Sequence, residues 1–365
     1  MGKEPNLTHV VINASEMGRR RGGNEAYLAG LIEGLTELDP STRVSLLTCE
    51  WGEPLDLPSV FNQVSVGHYQ RLPFFLWQQT LALRRLDADW YVSTFFLPLA
   101  VPCRQAVLIH DLSFRAHPEY FPVVVAAYMR LLTGLSIRRA DRVLALSEFT
   151  LRELARFYSP STDKTVRVYP GVGRLFRAEP EACEEAVLHS YGLESGYILA
   201  MGNIHPRKNL SRLLDAYEYL RQHGRAAPRM VWVGAPRWGS DELLERARAA
   251  GVILTGFVAQ HDLPALYRGA EMLVYPSLYE GFGLPPAEAM ACGTPVITSN
   301  TTSLPEVVGQ AALTVDPTDV RAIAGAMARL LDDAALRRDL IEAGIQRSQR
   351  FTWPRATRHL LAALQ

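Results

Sequence analysis

Short apolar runs recur along the chain, separated by amphipathic stretches. The first half carries HVVINA (9–14), RVSLLTC (43–49), QVSVGHY (63–69), WYVS (90–93), AVLIHD (106–111), RVLALS (142–147) and VRVYPGV (166–172). The second carries YILAMG (197–202), RMVWVG (229–234), VILTGF (252–257), MLVYPS (272–277), PVITSN (295–300) and ALTVDP (312–317). Strands buried on both faces read as continuous apolar runs, and helices between them make their sheets parallel. Helical patterns fill most of the gaps, for example 24–38 and 210–222. The pattern predicts an α/β protein of two doubly wound domains, with the boundary between 173 and 195. Many runs end in a polar residue or glycine: Asp111, Ser147, Gly202, Gly234, Ser277, Asn300. In open parallel sheets the ligand lies outside the carboxyl ends of the strands, so the chemistry is expected just after those runs.

Composition narrows this picture. The chain has 365 residues, which suits two domains of roughly 100–200 residues each. It is 48% hydrophobic and 21% charged, enough to bury a core without staples. Basic and acidic residues balance at 38 each, which gives no global attraction for nucleic acid. A phosphorylated ligand must therefore be met by local donors. Cys49, Cys103, Cys183 and Cys292 are scattered without metal-ligand spacing. Asp87-Ala88-Asp89 has the spacing of an acidic metal motif but precedes its strand, the wrong end for a ligand. Neither a metal nor another cofactor is expected. The polar N-terminus and the lack of a long apolar run predict a cytoplasmic protein. Met1-Gly2 is not read as an acylation site, because Asn6 stands where Ser or Thr is wanted. The stretch 71–86 mixes aromatics with Arg71, Arg84 and Arg85. It reads as a helix on the sheet, with peripheral contact to the inner membrane surface as the alternative.

Four segments could carry chemistry. In PSLYEGFGLPPAEAMACGTPVITSN (276–300), a strand leads into a glycine loop and a helix opened by Leu284-Pro285-Pro286. Glycines there let backbone N–H groups approach a ligand, and a helix start favours phosphate. Glu280 and Glu288 could grip two parts of a polyhydroxylated ligand. The competing local reading is a structural joint with a surface Glu280 and a capping Glu288. In MGNIHPRKNL (201–210), Arg207 and Lys208 sit at a helix start with Asn209 as its cap. Two cations oppose the helix dipole there unless an anion lies between them; a solvated basic pair is the bland alternative. AVLIHDLSF (106–114) places His110-Asp111 at a strand end, either as ligand contacts or as scaffold. GRRRGGNEAYLAGLIEGL (18–35) runs a glycine loop, with Arg19, Arg20 and Arg21, into a helix. It lacks GxGxxG spacing, and the second strand closes with Thr48-Cys49 rather than an acid, so nicotinamide binding is disfavoured.

The segment 276–300 resembles the glutamate–seven residues–glutamate motif of retaining glycosyltransferases of family 4, which have the GT-B fold. Within that family it is most similar to mannosyltransferase-like members, and the resemblance covers nearly the whole chain in order. It implies two Rossmann-like domains facing across a cleft: 1–175 for the acceptor, joined by a returning helix at 352–365, and 176–351 for the nucleotide-sugar donor. RVYPGVGRLF (167–176) resembles the joint, and LSEFT (146–150) a turn capped by Ser147. The resemblance puts Glu280 near the reacting centre of the sugar and Glu288 on the ribose. Backbone groups of Gly281, Phe282, Gly283 and Leu284 would cradle sugar and diphosphate. Arg207 and Lys208 would meet the diphosphate, although the arginine usual after the strand glycine is replaced by Asn203. His110 would bond a hydroxyl of the transferred sugar, and Gly22 and Gly23 would face the donor phosphates.

The implied activity is retaining transfer of a hexose, mannose from GDP-mannose, to a glycan or lipid-linked acceptor. No metal or cofactor is implied. UDP-sugar transfer and nucleotide-sugar epimerisation are the alternatives. Phosphorylases of this architecture are much longer.

Overall fold

The computed structural model describes residues 8–18, 23–37, 42–50, 58–68, 74–94, 96–223, 227–235 and 241–365. Gly22, Arg19, Arg20, Arg21 and Arg71 lie outside the described residues. The chain divides into two compact units, 1–171 with Trp353–Gln365, and Val172–Thr352.

Each apolar run forms a strand. In unit 1 these are β1 (Thr8–Asn13), β2 (Thr42–Glu50), β3 (Asn62–His68), β4 (Trp90–Thr94), β5 (Arg104–Ile109), β6 (Arg142–Ala145) and β7 (Thr165–Arg167). They pair in parallel in the order β3-β2-β1-β4-β5-β6-β7. In unit 2 they are β8 (Tyr197–Met201), β9 (Met230–Val233), β10 (Ile253–Gly256), β11 (Ala270–Tyr275), β12 (Val296–Ser299) and β13 (Leu313–Val315). Their parallel order is β10-β9-β8-β11-β12-β13. In each sheet the order reverses beside the first strand, between β1 and β4 and between β8 and β11. Such a switch point leaves a crevice at the carboxyl ends, where connections depart to opposite faces.

The helix Leu210–Gln222 shows why the pattern was readable. Leu210, Leu213, Leu214, Tyr217 and Leu220 form one buried stripe against Ile198, Met230, Trp232 and Met272 of the sheet. In unit 1 the core gathers Val11, Leu47, Tyr91 and Val107 from the sheet with Ile137 and Leu154 from its helices. Ser147 caps the helix Glu148–Tyr158, its Oγ accepting from Thr150 N at 3.0 Å. The helix Trp353–Ala363 returns to unit 1, with Trp353 edge-on to Tyr27 at 5.2 Å and Ala363 O accepting from Arg142 Nε at 2.8 Å.

Two details differ from the sequence reading. The joint falls at 171/172 rather than 175/176, because Val172 N donates to Phe351 O at 2.9 Å and Val172 bridges to Thr352. Strand β2 runs on to Glu50, so an acid does end it. That carboxylate is exposed and turned to its neighbour strand, accepting from Ser65 Oγ at 3.3 Å and lying 3.6 Å from His68 Nε2.

Candidate active site

The crevice of unit 2 is bordered by the loops that leave β8 and β11. The first begins at Gly202, whose φ of +113° a side-chain-bearing residue rarely adopts. A Cβ there would lie 3.1 Å from Lys208 Cε, so the glycine also makes room for the lysine stem. A tight turn, Pro206–Lys208, follows, with His205 Nδ1 accepting from Arg207 N at 3.3 Å. Asn209 does not cap the next helix as expected. It is left-handed (φ 59°), whereas a capping side chain needs an extended backbone to reach back. Its Nδ2 instead donates to Pro276 O at 3.0 Å and Pro317 O at 2.6 Å. The two loops are sewn together further by Arg207 O, which accepts from Leu278 N at 2.7 Å and Ser277 Oγ at 2.9 Å.

Glu280 lies at the centre of this seam, 6% exposed. Lys208 Nζ donates to its Oε1 at 2.6 Å and Arg207 Nη1 to its Oε2 at 2.8 Å. Tyr275 OH and Ser277 Oγ also donate to Oε1, at 2.9 and 2.6 Å. Tyr275 in turn accepts from Lys208 Nζ, which sits 4.6 Å from the centre of its ring. Burial alone would raise the Glu280 pKa, but the two cations outweigh it and hold the carboxyl at about 2. Glu280 is therefore ionised throughout the physiological range and cannot donate a proton. Two cations and one carboxylate leave the cluster with one net positive charge. The anion that the helix start required is thus supplied first by the chain itself.

The loop then enters the helix Leu284–Ala291 through Gly283. That glycine has φ +103°, and a Cβ would meet Leu304 Cδ2 at 2.7 Å. Ser303 Oγ lies 2.9 Å from the carbonyl oxygens of both Glu280 and Phe282, tying the loop from beneath. Phe282 is buried, edge-on to Phe351 at 5.2 Å. Pro285 and Pro286 have no N–H, so in the first turn only Leu284 and Ala287 bring backbone donors.

Glu288 occupies a different environment. It is 9% exposed and accepts from Tyr267 OH at 2.8 Å, the tyrosine being fully buried. Burial raises its pKa to about 7, and the tyrosine bond only partly opposes that. The expected consequence concerns stability. At pH below the ordinary value of 4.5 both folded and unfolded chains hold the proton. Between 4.5 and about 7 the unfolded chain ionises first, and the folded state loses ground by up to roughly 3 kcal/mol. Glu288→Gln cannot ionise. Its melting temperature should match the parent near pH 4.5, exceed it increasingly toward pH 7, and hold a constant lead above that. Calorimetry across this range checks it; a difference independent of pH would contradict the assignment.

In unit 1, His110 follows the last residue of β5. It is half-buried, with the Tyr27 ring edge-on at 4.9 Å. Burial lowers its pKa to about 4, Asp111 opposing only in part, so the imidazole is neutral at pH 7. Asp111 orders its own loop, its Oδ1 accepting from Ser113 N at 2.9 Å and Ser113 Oγ at 2.6 Å. Gly23 is exposed at the start of the helix Gly23–Thr36. The structure thus brings Arg207, Lys208 and Glu280 into one cluster, connects them through Gly281–Leu284 to Glu288, and places His110 and Gly23 in the other unit. Ser277, expected at the end of its strand, joins the cluster, and Tyr275, Tyr267 and Ser303, not singled out in the sequence, complete it. A tyrosine inside an aliphatic strand, as in MLVYPS, was the available signal, since a buried phenol seeks a partner.

Comparison with known proteins gives the family of the chain. A family model described as glycosyl transferases group 1 matches residues 191–347, and one for glycosyltransferase family 4 matches 21–173. The O-antigen chain mannosyltransferase B of Escherichia coli is 36% identical over 292 residues, covering 78% of this chain and 76% of that protein. The O-antigen chain mannosyltransferase RfbU of Salmonella typhimurium is 25% identical over 348 residues, covering 90% and 93%. Among solved structures, sucrose-phosphate synthase from Thermosynechococcus elongatus superposes with a TM-score of 0.77 at 22% identity, covering 98% of this chain and all of that one, and it shares the GT-B fold. The chain belongs to the group 1, family 4 glycosyltransferases and is an enzyme of that class.

Proposed function

We propose that the chain transfers mannose from GDP-mannose, with retention of anomeric configuration, to a hydroxyl of a glycan or lipid-linked acceptor. The observation that carries the chemistry is the ionised Glu280 held between Arg207 and Lys208, with Glu288 eight residues further along. The mannosyl assignment rests on the O-antigen relatives, both named as mannosyltransferases.

In this reading the bond between the sugar's anomeric carbon and the phosphate oxygen breaks as the acceptor oxygen bonds that carbon on the same face. The acceptor's proton passes to the departing phosphate. Arg207 and Lys208 meet the charge growing on the diphosphate, a role that raises kcat because it strengthens in the transition state. Glu280 accepts from sugar hydroxyls without exchanging a proton, and backbone groups of Gly281–Leu284 line the sugar and diphosphate. Glu288 takes the ribose hydroxyls, which fits a carboxyl that ionises near neutrality. His110, neutral at pH 7, bonds a sugar hydroxyl at the end of its own sheet. Gly23, exposed at the start of its helix, offers its backbone to phosphate in this reading.

A panel of nucleotide sugars, scored by hydrolysis and by transfer to mannose-terminated glycans, tests the donor. GDP-mannose should be turned over at least about tenfold faster than any UDP-sugar, a difference of about 1.4 kcal/mol. Transfer should persist in excess chelator, because in this reading Arg207 and Lys208 meet the diphosphate directly. A UDP-sugar preferred over GDP-mannose, or epimerisation without acceptor, would overturn the assignment.

A further inference from the structure

Two helices of unit 1 show some of their apolar side chains to solvent and bury polar ones beside their core residues. The helix Val123–Arg139 buries Thr133 and Ser136 along with Ala126 and Ile137. Its outer stripe, spaced at helical intervals, is Val124, Ala127, Leu131, Leu135 and Arg138, with Val124 77%, Leu131 63% and Leu135 40% exposed. The inward serine is used: Ser136 Oγ accepts from Leu97 N at 2.9 Å and donates to Leu132 O at 2.8 Å. The helix Gln79–Leu86 shares this only in its first turn, since Ala82 and Leu83 pack inward. Gln79 and Thr80 are buried, bonding Tyr91 OH and Ala100 O, while Leu81 on the helix and Trp77 just before it are each about half exposed. Segment 96–100 bonds to both helices, through Leu97 and Ala100, and its Leu99 is 62% exposed. Single exposed leucines are ordinary; an ordered apolar stripe on one helix, joined by one segment to further exposed apolar side chains at Trp77 and Leu81, marks an interaction surface.

Charge indicates the partner. Neither helix contains an acidic residue, whereas Arg84, Arg85, Arg130 and Arg138 are exposed on them. Asp87 and Asp141 stand just beyond their C-terminal ends. A second copy of the chain docking symmetrically here would set arginines against arginines. An anionic bilayer accepts both components, apolar side chains at the headgroup boundary and arginines on the phosphates. No helix among the described residues is long and apolar enough to cross a membrane, so the contact lies in the plane of the surface. We propose that this face of unit 1 docks on anionic lipid, with Trp77 and the exposed leucines entering the headgroup boundary and the four arginines bound to lipid phosphate. The proposal is independent of the sugar transferred.

The test is co-sedimentation of the full chain with phosphatidylcholine vesicles, with and without phosphatidylglycerol. Binding is expected only with phosphatidylglycerol and should fall with salt. Arg84→Gln with Arg85→Gln should weaken it about tenfold to thirtyfold. The triple variant Val124→Ser, Leu131→Gln, Leu135→Gln should reduce it to background while keeping its melting temperature and donor hydrolysis, since these side chains are exposed. No binding to anionic vesicles, or undiminished binding by the triple variant, would overturn the proposal. So would self-association that the triple variant abolishes, which would make the face an interface between copies.

Discussion

Replacing Lys208 with alanine is expected to lower kcat for sugar transfer by about 10²–10³-fold, the usual cost of removing one preorganised group from developing charge. The reason is local. Lys208 is 8% exposed, and its ammonium is fixed by Glu280 Oε1 and the Tyr275 hydroxyl and ring. A cation held in place before the reaction pays no reorganisation when the diphosphate gains charge, and its low-dielectric surroundings amplify the attraction. Removing it takes the cluster from one net positive charge to none, since Arg207 and Glu280 then cancel. The donor KM should change less than kcat, because the ground-state diphosphate keeps Arg207 and the backbone donors. Steady-state kinetics on the purified, folded variant measures this. Near-normal kcat would remove Lys208 from the diphosphate role.

The second large effect is on stability. Glu280→Ala leaves Lys208 and Arg207 without their shared counter-ion, and breaking a buried pair from one side costs about 3–5 kcal/mol. For a unit of this size that lowers the melting temperature by roughly 6–20 °C. Adding Lys208→Met to Glu280→Ala should restore much of the loss, because the stranded buried charge goes with it, yet leave transfer no faster. A double-mutant cycle on melting data separates these outcomes; simple additivity would show that the pair is not coupled. Acid should reveal the same carboxylate. Its folded pKa of about 2 lies below the ordinary 4.5, so its stabilisation is complete above 4.5 and disappears as pH falls toward 2.

The sheet architecture was legible because parallel strands buried on both faces leave an apolar run whose ends need only trimming. Ser277 and Gly202 closed such runs and do stand where the site loops begin. The hydrogen-bonding within the site was not legible. Glu280 meets Lys208 across 72 positions of sequence, and Glu288 meets Tyr267 across 21, so no local pattern announces either pair. The two glutamates look alike in sequence, yet neighbouring cations take one to about 2 and burial takes the other to about 7. Asn209 has the composition of a cap, but its left-handed backbone turned it into a staple between loops. The helix Val123–Arg139 departs from the amphipathic rule in part, since Ser136 turns inward to hold Leu97 while Leu131 and Leu135 face out. A helix whose apolar side faces outward announces a partner only once its burial is known.

The stereochemistry of the first product distinguishes the proposed retaining mannosyl transfer at the Glu280–Lys208 site from its alternatives. GDP-mannose, α-linked at its anomeric carbon, is incubated with the enzyme and a mannose-terminated glycan. The new linkage is then read by proton NMR before secondary reactions intervene. The expected product is α-linked, formed by the wild type and suppressed in Lys208→Ala. A β-linked product, or α-linked product made equally fast by Lys208→Ala, would contradict the mechanism.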